Sequence, residues 1–484
     1  MVRRPRSGRQ RSRVTASPLP APDAAPPSRH SPADRVFFGH PRGLAFIALT
    51  ETWVAFSFYG MQSLLVLYLL NWLLKPEHVR QVIGFGPFRA ALEHLYGPLS
   101  GQPLASAITG LYGALAYGTP ILGGLLADRW LGRTRAIILG AVLMTAGHFM
   151  MAFPATFLLA LLCLVLGTGC AGVLKAQVGA LYAPGDLRRA DAYQIYSLTV
   201  DIAVIAAPFV CGYLGQQVGW GWGFGAAGVG MAIGLVVYLV SRRWLPPEPP
   251  RRAKSKGADR PAMTAREWRT VGVLIALLPV LAVAAVGNME IFNAYLVWGQ
   301  DNYQLVVLGR AMPVTWLLSL DAFISAVTLG LVVMFWRWWA TRRREPDEIV
   351  KLAIGAAISA LAPAVLALAS WQATGGHKVG LAWGLAFHIV NDVGFANVYA
   401  VGMALFSRAA PPALGSTLVS GYSLNIFLAN LLVGRLAGFL STMPAPAFWL
   451  MHAALVAGAA LVLLVFARLF HRTLAPQAGG ESQL

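Results

Sequence analysis

The chain has 484 residues, of which 57% are hydrophobic and 12% charged, with a formal net charge of +18 at pH 7. That charged share is roughly half that of a soluble domain, and the apolar residues gather in runs of about 20, long enough to cross a bilayer as helix, which excludes a water-soluble globule and an outer-membrane barrel. The surplus Arg and Lys lie between the apolar runs, so the charge reports membrane topology and not nucleic-acid binding. Cys163, Cys170 and Cys211 sit inside apolar runs, where a thiol behaves as a small hydrophobe, and imply neither a disulfide framework nor a metal site.

Residues 1–42 carry Arg3, Arg4, Arg6, Arg9, Arg11 and Arg13, then a Pro/Ala-rich stretch without an apolar run. This is no signal peptide, and a disordered basic cytoplasmic tail is expected. Spans are predicted near 44–74, 103–127, 134–153, 155–182, 190–216, 221–244, 269–300, 312–340, 347–372, 379–408, 412–441 and 446–471. Residues 75–101, rich in Pro and Gly, leave room for a short surface helix. The Pro-rich, then basic stretch 245–267 (Arg251, Arg252, Lys254, Lys256) divides the spans six and six. The predicted organisation is therefore an all-α membrane protein with an N-terminal six-helix half at 43–244, a cytoplasmic linker at 245–267, a C-terminal six-helix half at 268–472 and a tail at 473–484. Cations follow the even spans, among them Arg129, Arg133 and Arg135, Arg188 and Arg189, Arg337 and Arg342 to Arg344, and Arg408. The positive-inside rule then puts both termini in the cytoplasm of a cell whose inner membrane holds the chain. Two halves about a midplane site suit alternating access.

Four stretches carry a resemblance. The first is Thr119 to Arg133, TPILGGLLADRWLGR; the second is Phe56 to Leu69, FSFYGMQSLLVLYL; the third runs from Gly179 to Met231 with PFVCGYLG and GWGWGFGAAGVGM; the fourth joins Glu290 to MPVTW at 312–316 and Glu345-Pro346. Together they resemble the proton-dependent oligopeptide transporters of the major facilitator superfamily, from about residue 44 to 440. In the first stretch Gly123 and Gly124 are expected to permit close helix contact, and Asp128, Arg129 and Arg133 to form a charged latch at the cytoplasmic mouth; a plain positive-inside loop is the alternative.

Ionisable residues inside spans are expensive and default to functional candidates. Glu51, Ala55, Tyr59 and Gln62 share one face of the first span. Glu51 matches the first Glu of the family's Glu-x-x-Glu-Arg, whose second Glu and Arg are Val54 and Ala55 here, and Gln62 replaces a family Arg. Ala171 occupies the position of the family's fourth-span Lys, with Lys175 one turn further on, where it serves either the cavity or a nearby carboxylate. Asp201 and Asp321 stand where the family has Asn, and Glu290 matches its seventh-span Glu. The family's amine-binding Glu of the tenth span is absent, its Gly-Glu-Leu being Gly394-Phe395-Ala396; His388 and Asp392, four apart on one face, are the local replacement. The resemblance thus implies proton coupling at Glu51 and Glu290, and a substrate cavity of Tyr59, Gln62, Lys175, Asp201, Asn293, Asp321, His388 and Asp392. Trp53, Tyr59, Tyr295, Trp316 and Trp383 read as packing or interfacial residues ahead of ligand stacking.

A cavity with more acids than bases favours a cationic or neutral substrate over a zwitterion. The leading expectation is proton-coupled import of small peptides or peptide-like compounds. An antiporter exporting cationic amines, drugs or a peptide-derived metabolite, and a transport-inactive scaffold or sensor, stay open beside it. Enzymatic chemistry is not expected, since no nucleophile elbow, phosphate loop or metal-ligand spacing is present. The implied partners are membrane lipid, protons and the substrate, with no nucleic acid and no cofactor beyond a proton gradient.

Overall fold

The computed structural model describes residues 36–183, 185–248 and 263–474. The six tail arginines and the linker cations Arg251, Arg252, Lys254 and Lys256 lie outside these residues. The spans, numbered in chain order, are α1 (Arg42–Leu73), α2 (Gly101–Leu131), α3 (Arg133–Met150), α4 (Pro154–Ala180), α5 (Arg188–Val218), α6 (Trp220–Trp244), α7 (Ala265–Ala284 and its continuation), α8 (Trp316–Ala340), α9 (Glu348–Gln372), α10 (Ala382–Ala409), α11 (Thr417–Ser441) and α12 (Ala445–His471). Eleven of them are long and apolar enough to cross a membrane. The exception is α3, an 18-residue helix with Arg133 and Arg135 in its first turn, packed between α4 and α6. It supplies the twelfth expected span. Between α1 and α2 the expected surface helix is Phe85–Tyr96, preceded by a turn at Pro76–Val79. A two-stranded hairpin, β1 (Val306–Val307) against β2 (Arg310–Ala311), joins α7 to α8.

The packing repeats with a shift of six. In the first half α1 packs on α5 and α6, α4 on α2 and α3, and α3 on α6; in the second α7 packs on α11 and α12, α10 on α8 and α9, and α9 on α12. The halves are two copies of one arrangement. They meet through α2 against α11 and α5 against α8, a reciprocal pair under the same relation.

One end of the bundle, here the basic end, carries Arg129, Arg133, Arg135, Arg188, Arg337 and Arg408. The bonds between halves cluster towards the other end. There Asn71 Nδ2 donates to Gln300 Oε1 at 2.8 Å, Gln102 Nε2 to the Ala437 carbonyl at 2.9 Å, Ser319 Oγ to the Ile205 carbonyl at 2.7 Å and Trp316 Nε1 to the Phe209 carbonyl at 3.1 Å. Glycines make the approach possible: a Cβ on Gly110 would strike the Gly434 backbone, and one on Gly212 the Thr315 side chain. At the basic end, among the described residues, no hydrogen bond or ion pair joins the halves. Each half is tied internally instead, through Arg188 with Asp186 at 2.8 Å, Arg408 with Glu348 at 2.7 Å and Lys351 with Glu345. Among the described residues the halves are bonded together at one end, here the shut end, and not bonded to each other at the basic end, here the parted end.

The glycine pair of the 119–133 stretch divides in role. A Cβ on Gly123 would collide with the Gly169 carbonyl of α4, whereas Gly124 has nothing within 4 Å. The expectation that both glycines serve close contact is corrected to Gly123 alone. Gly123→Ala should cost about 1–3 kcal/mol or more through overpacking against backbone, while Gly124→Ala should be neutral or stabilise by up to about 1 kcal/mol through helix propensity. Melting temperatures of the two purified variants check this.

Candidate functional site

The first cluster lies on the wall that α1, α4 and α5 present to the parted end. Glu51 on α1 is half-buried, with the Tyr196 hydroxyl of α5 against its carboxylate and Lys175 of α4 within electrostatic range. Lys175 follows a break in α4, where the helix ends at Ala171 and resumes at Leu174, and its side chain is exposed. Two turns along α1, Tyr59 lies beside Tyr117 of α2, with Asp201 of α5 and Tyr399 of α10 within electrostatic range. Its ring is 6.3 Å from that of Phe292 on α7. Residues of both halves therefore border the space at Tyr59, the candidate chamber. The Lys175 cation balances Glu51, so Asp201 leaves this wall with a surplus of negative charge.

The second cluster sits where α7 breaks. After Ala265–Ala284 the chain continues as a turn at Val286–Met289, a 3-10 turn at Glu290–Phe292 and a further helix at Ala294–Asn302, with Asn293 outside the helical region at φ −133°, ψ −105°. A break inside a membrane leaves backbone groups that must be satisfied from within the protein. Glu290, fully buried, does part of this: its Oε2 accepts the Ala294 N–H at 3.2 Å. Its Oε1 lies 2.9 Å from Nε2 of His452, a fully buried side chain on α12. The other ring nitrogen, Nδ1, is 2.9 Å from the Phe448 carbonyl. A carbonyl only accepts, so Nδ1 carries a hydrogen. The Oε1 to Nε2 contact then needs one proton between its atoms, held either as carboxylic acid with neutral imidazole or as carboxylate with imidazolium. Either way the pair is neutral and holds one exchangeable proton.

The third cluster is inside the C-terminal half. His388 Nδ1 is 2.7 Å from Asp321 Oδ1 of α8, and its Nε2 is 2.9 Å from the Tyr295 hydroxyl just past the α7 break. Asp392, one turn along α10, accepts from Asn391 Nδ2 at 3.2 Å.

The expected cavity residues are thus distributed over separate places. Tyr59, Lys175 and Asp201 belong to the chamber wall, and Asp321 keeps 14% of its side chain exposed. His388 and Asp392 are shut inside the half. Gln62 is buried, its Oε1 without a partner. Asn293 is buried and donates from Nδ2 to the Ser106 carbonyl of α2 at 3.1 Å, tying the α7 break to the opposite half. At the basic end, Arg133 Nε is 4.0 Å from Asp128 Oδ1 within one connection, and Arg129 is exposed. Glu248 of the linker closes over that connection, accepting from the Arg133 and Thr134 N–H groups at 3.1 and 2.5 Å. Burial pushes the Glu248 carboxyl up, but its hydrogen bonds to Thr134 and Arg133 outweigh this and hold it below the usual carboxylate range.

Sequence reasoning missed His452, Tyr196, Tyr117 and Tyr399. The signal for His452 was present, since an ionisable residue inside the apolar run of α12 falls under the same rule that singled out Glu290. Tyr295, read as packing, bonds His388. Trp53 lies on an apolar cleft of about 760 Å³ with Phe56, Ile202 and Trp222, and Trp316 stacks on Phe209 at 4.2 Å. Among the described residues no group of three His, Cys, Asp or Glu side chains could hold a metal ion.

A family model described as the POT family matches residues 134–273. The peptide transporter YePEPT of Yersinia enterocolitica is 26% identical over 85% of this chain and 90% of its own length. The crystal structure of a peptide transporter in complex with alafosfalin superposes with a TM-score of 0.77 at 26% identity, covering 91% of this chain and 97% of that one. The chain thus resembles the POT family of peptide transporters. A di-/tripeptide transporter of Lactococcus lactis adds a match at 32% identity over 58% of this chain and 52% of the relative. The twelve helices in two halves are accordingly the major facilitator fold, as in the POT structures they superpose on.

Removing one partner of a buried pair leaves the other uncompensated, at about 3–5 kcal/mol. His452→Ala should therefore lower stability by that order, and adding Glu290→Gln should restore part of the loss. A double-mutant cycle of unfolding free energies measures the coupling.

Proposed function

We propose that this protein is a proton-coupled importer of small peptides or peptide-like compounds that works by alternating access in a cell's inner membrane, with its basic end and both termini in the cytoplasm. The names of the relatives support the substrate class, and the basic residues support the orientation. The observation that carries the coupling is the Glu290–His452 pair. It holds one proton, is buried at a break in α7, and lies in a helix whose next residues, Phe292 and Asn293, meet the other half at Tyr59 and Ser106.

In this reading the proton stabilises the closed break. Losing it leaves a buried negative charge whose imidazole neighbour presents a lone pair, a state stable only after the break has opened to water. Occupancy of the pair therefore biases which end of the bundle is shut. The linker, from 245 to 267, lets the halves rock, and the latch residues Gly123, Asp128, Arg129 and Arg133 reshape the basic mouth as they do so, with Gly124 beside them. Substrate enters the chamber, where Lys175 meets the peptide carboxylate as Glu51 takes up a proton. Asp201 and Asp321 face the peptide amine, and Tyr59 lines the path. The negative surplus makes cationic and neutral side chains better tolerated than acidic ones.

Dialanine uptake by proteoliposomes, with and without an inward proton gradient, tests this. The wild type should concentrate dialanine only with the gradient, and Glu290→Gln should take it up at the gradient-free level; uptake by Glu290→Gln that still follows the gradient would remove Glu290 from the mechanism. Lys175→Ala should weaken dialanine binding by roughly 10–100-fold, the loss of one charge-assisted bond of about 1.5–3 kcal/mol, while leaving binding of a dipeptide amide with no free carboxylate nearly unchanged.

A further inference from the structure

Asp321 and Asp392 lie within electrostatic range of each other in the C-terminal half, and His388 is hydrogen-bonded to only one of them. His388 is fully buried and Asp392 is 1% exposed. Asp392 Oδ1 accepts from the neighbouring Asn391, but its Oδ2 has no partner, and neither has Asn391 Oδ1 beside it. Even with His388 as imidazolium, two carboxylates would leave this buried cluster with a net negative charge.

No packed helix supplies a cation to cancel it. On α8 the next charge after Asp321 is Arg337, more than four turns away. On α9, Lys351 is engaged by Glu345 and the Trp336 ring, and Glu348 by Arg408. On α7 the titratable neighbours are Tyr295, Tyr303 and Glu290, the last already paired with His452. On α11 the first charge is Arg435, near the shut end, and α10 itself adds only Tyr399 and Arg408 towards the basic end. A buried carboxylate with no cation and a single amide hydrogen bond is more stable protonated than ionised.

We propose that Asp321, His388 and Asp392 form a second proton-binding site, separate from Glu290–His452, in which Asp392 holds the proton as carboxylic acid and Asp321, the partly exposed member, exchanges it with chamber water. The step is proton transfer alone: an Asp392 oxygen gains the O–H on loading and loses it to water on release. The Tyr295 hydroxyl on His388 links the site to the helix past the α7 break. Only the consequence for transport, one further proton moved per cycle, rests on the reading of the protein as a proton-coupled carrier. The protonation does not.

Infrared pH-difference spectroscopy of the full chain in nanodiscs tests the site without transport. The wild type should show a protonated-carboxyl band at neutral pH that disappears in D392N and persists, shifted in position, in D392E. Because an amide mimics a protonated carboxyl, D392N should melt at or above the wild-type temperature. A D392N spectrum that superposes on the wild type, a D392N protein that unfolds, or stabilisation by sodium with no carboxyl band would overturn the proposal. In proteoliposomes, the membrane potential at which net dialanine flux reverses gives the charge-to-peptide ratio, which should fall by one in D392N. An unchanged ratio would overturn the coupled role. A wild type showing no proton-driven uptake would instead remove the carrier reading, and the infrared band would still decide the site.

Discussion

The structure depends on how a carboxylate is kept inside a broken helix. A span that stops hydrogen-bonding to itself in the membrane must find partners for the freed backbone groups, because neither lipid nor bulk water provides them there. Glu290 answers that need from its own chain by accepting the Ala294 N–H, and His452 answers the need of Glu290 from α12. The Phe448 carbonyl fixes the imidazole tautomer and so leaves one proton at the centre of the arrangement. Asn293, at the same break, reaches α2 of the other half. Local backbone geometry, protonation and contact between the halves are thus coupled within a few residues.

The polar contact between halves is made of individually weak bonds. Its α2–α11 seam approaches through Gly110 and Gly434, and its hydrogen bonds are mostly from single side chains to backbone carbonyls. Such bonds are worth about 1 kcal/mol net each, since water replaces them when the seam opens. The bidentate Arg408–Glu348 pair ties the second half internally, while the largest apolar core runs through both halves and smaller ones lie within each.

Hydropathy made the fold legible because lipid imposes length and apolarity on every span. The exception is instructive: α3 carries Arg133 and Arg135 in its first turn and depends on packing by α4 and α6. The site was less legible, since its partners are remote in sequence. The four-residue spacing of His388 and Asp392 suggested that they act together, but the ring turns to Asp321, 67 residues away, and His452 is 162 residues from Glu290. Gly123 and Gly124 look alike in sequence, and only the position of the Gly169 carbonyl separates them.

The ionic chemistry of the C-terminal half follows from what its interior lacks. A guanidinium remains charged at every accessible pH, so a carboxylate paired with one is held ionised. Here Glu290 on α7 and Asp321 on α8 are served by imidazoles, which can share a proton with the carboxylate. An imidazole beside a carboxylate can keep the pair neutral by moving a proton between them, whereas a fixed cation can be parted from its carboxylate only by exposing two full charges. With Val54 and Ala55 standing where the family carries Glu and Arg, the first span offers no such fixed cation at that point. On the proposed reading, control of proton occupancy then rests with the carboxylates beside His452 and His388.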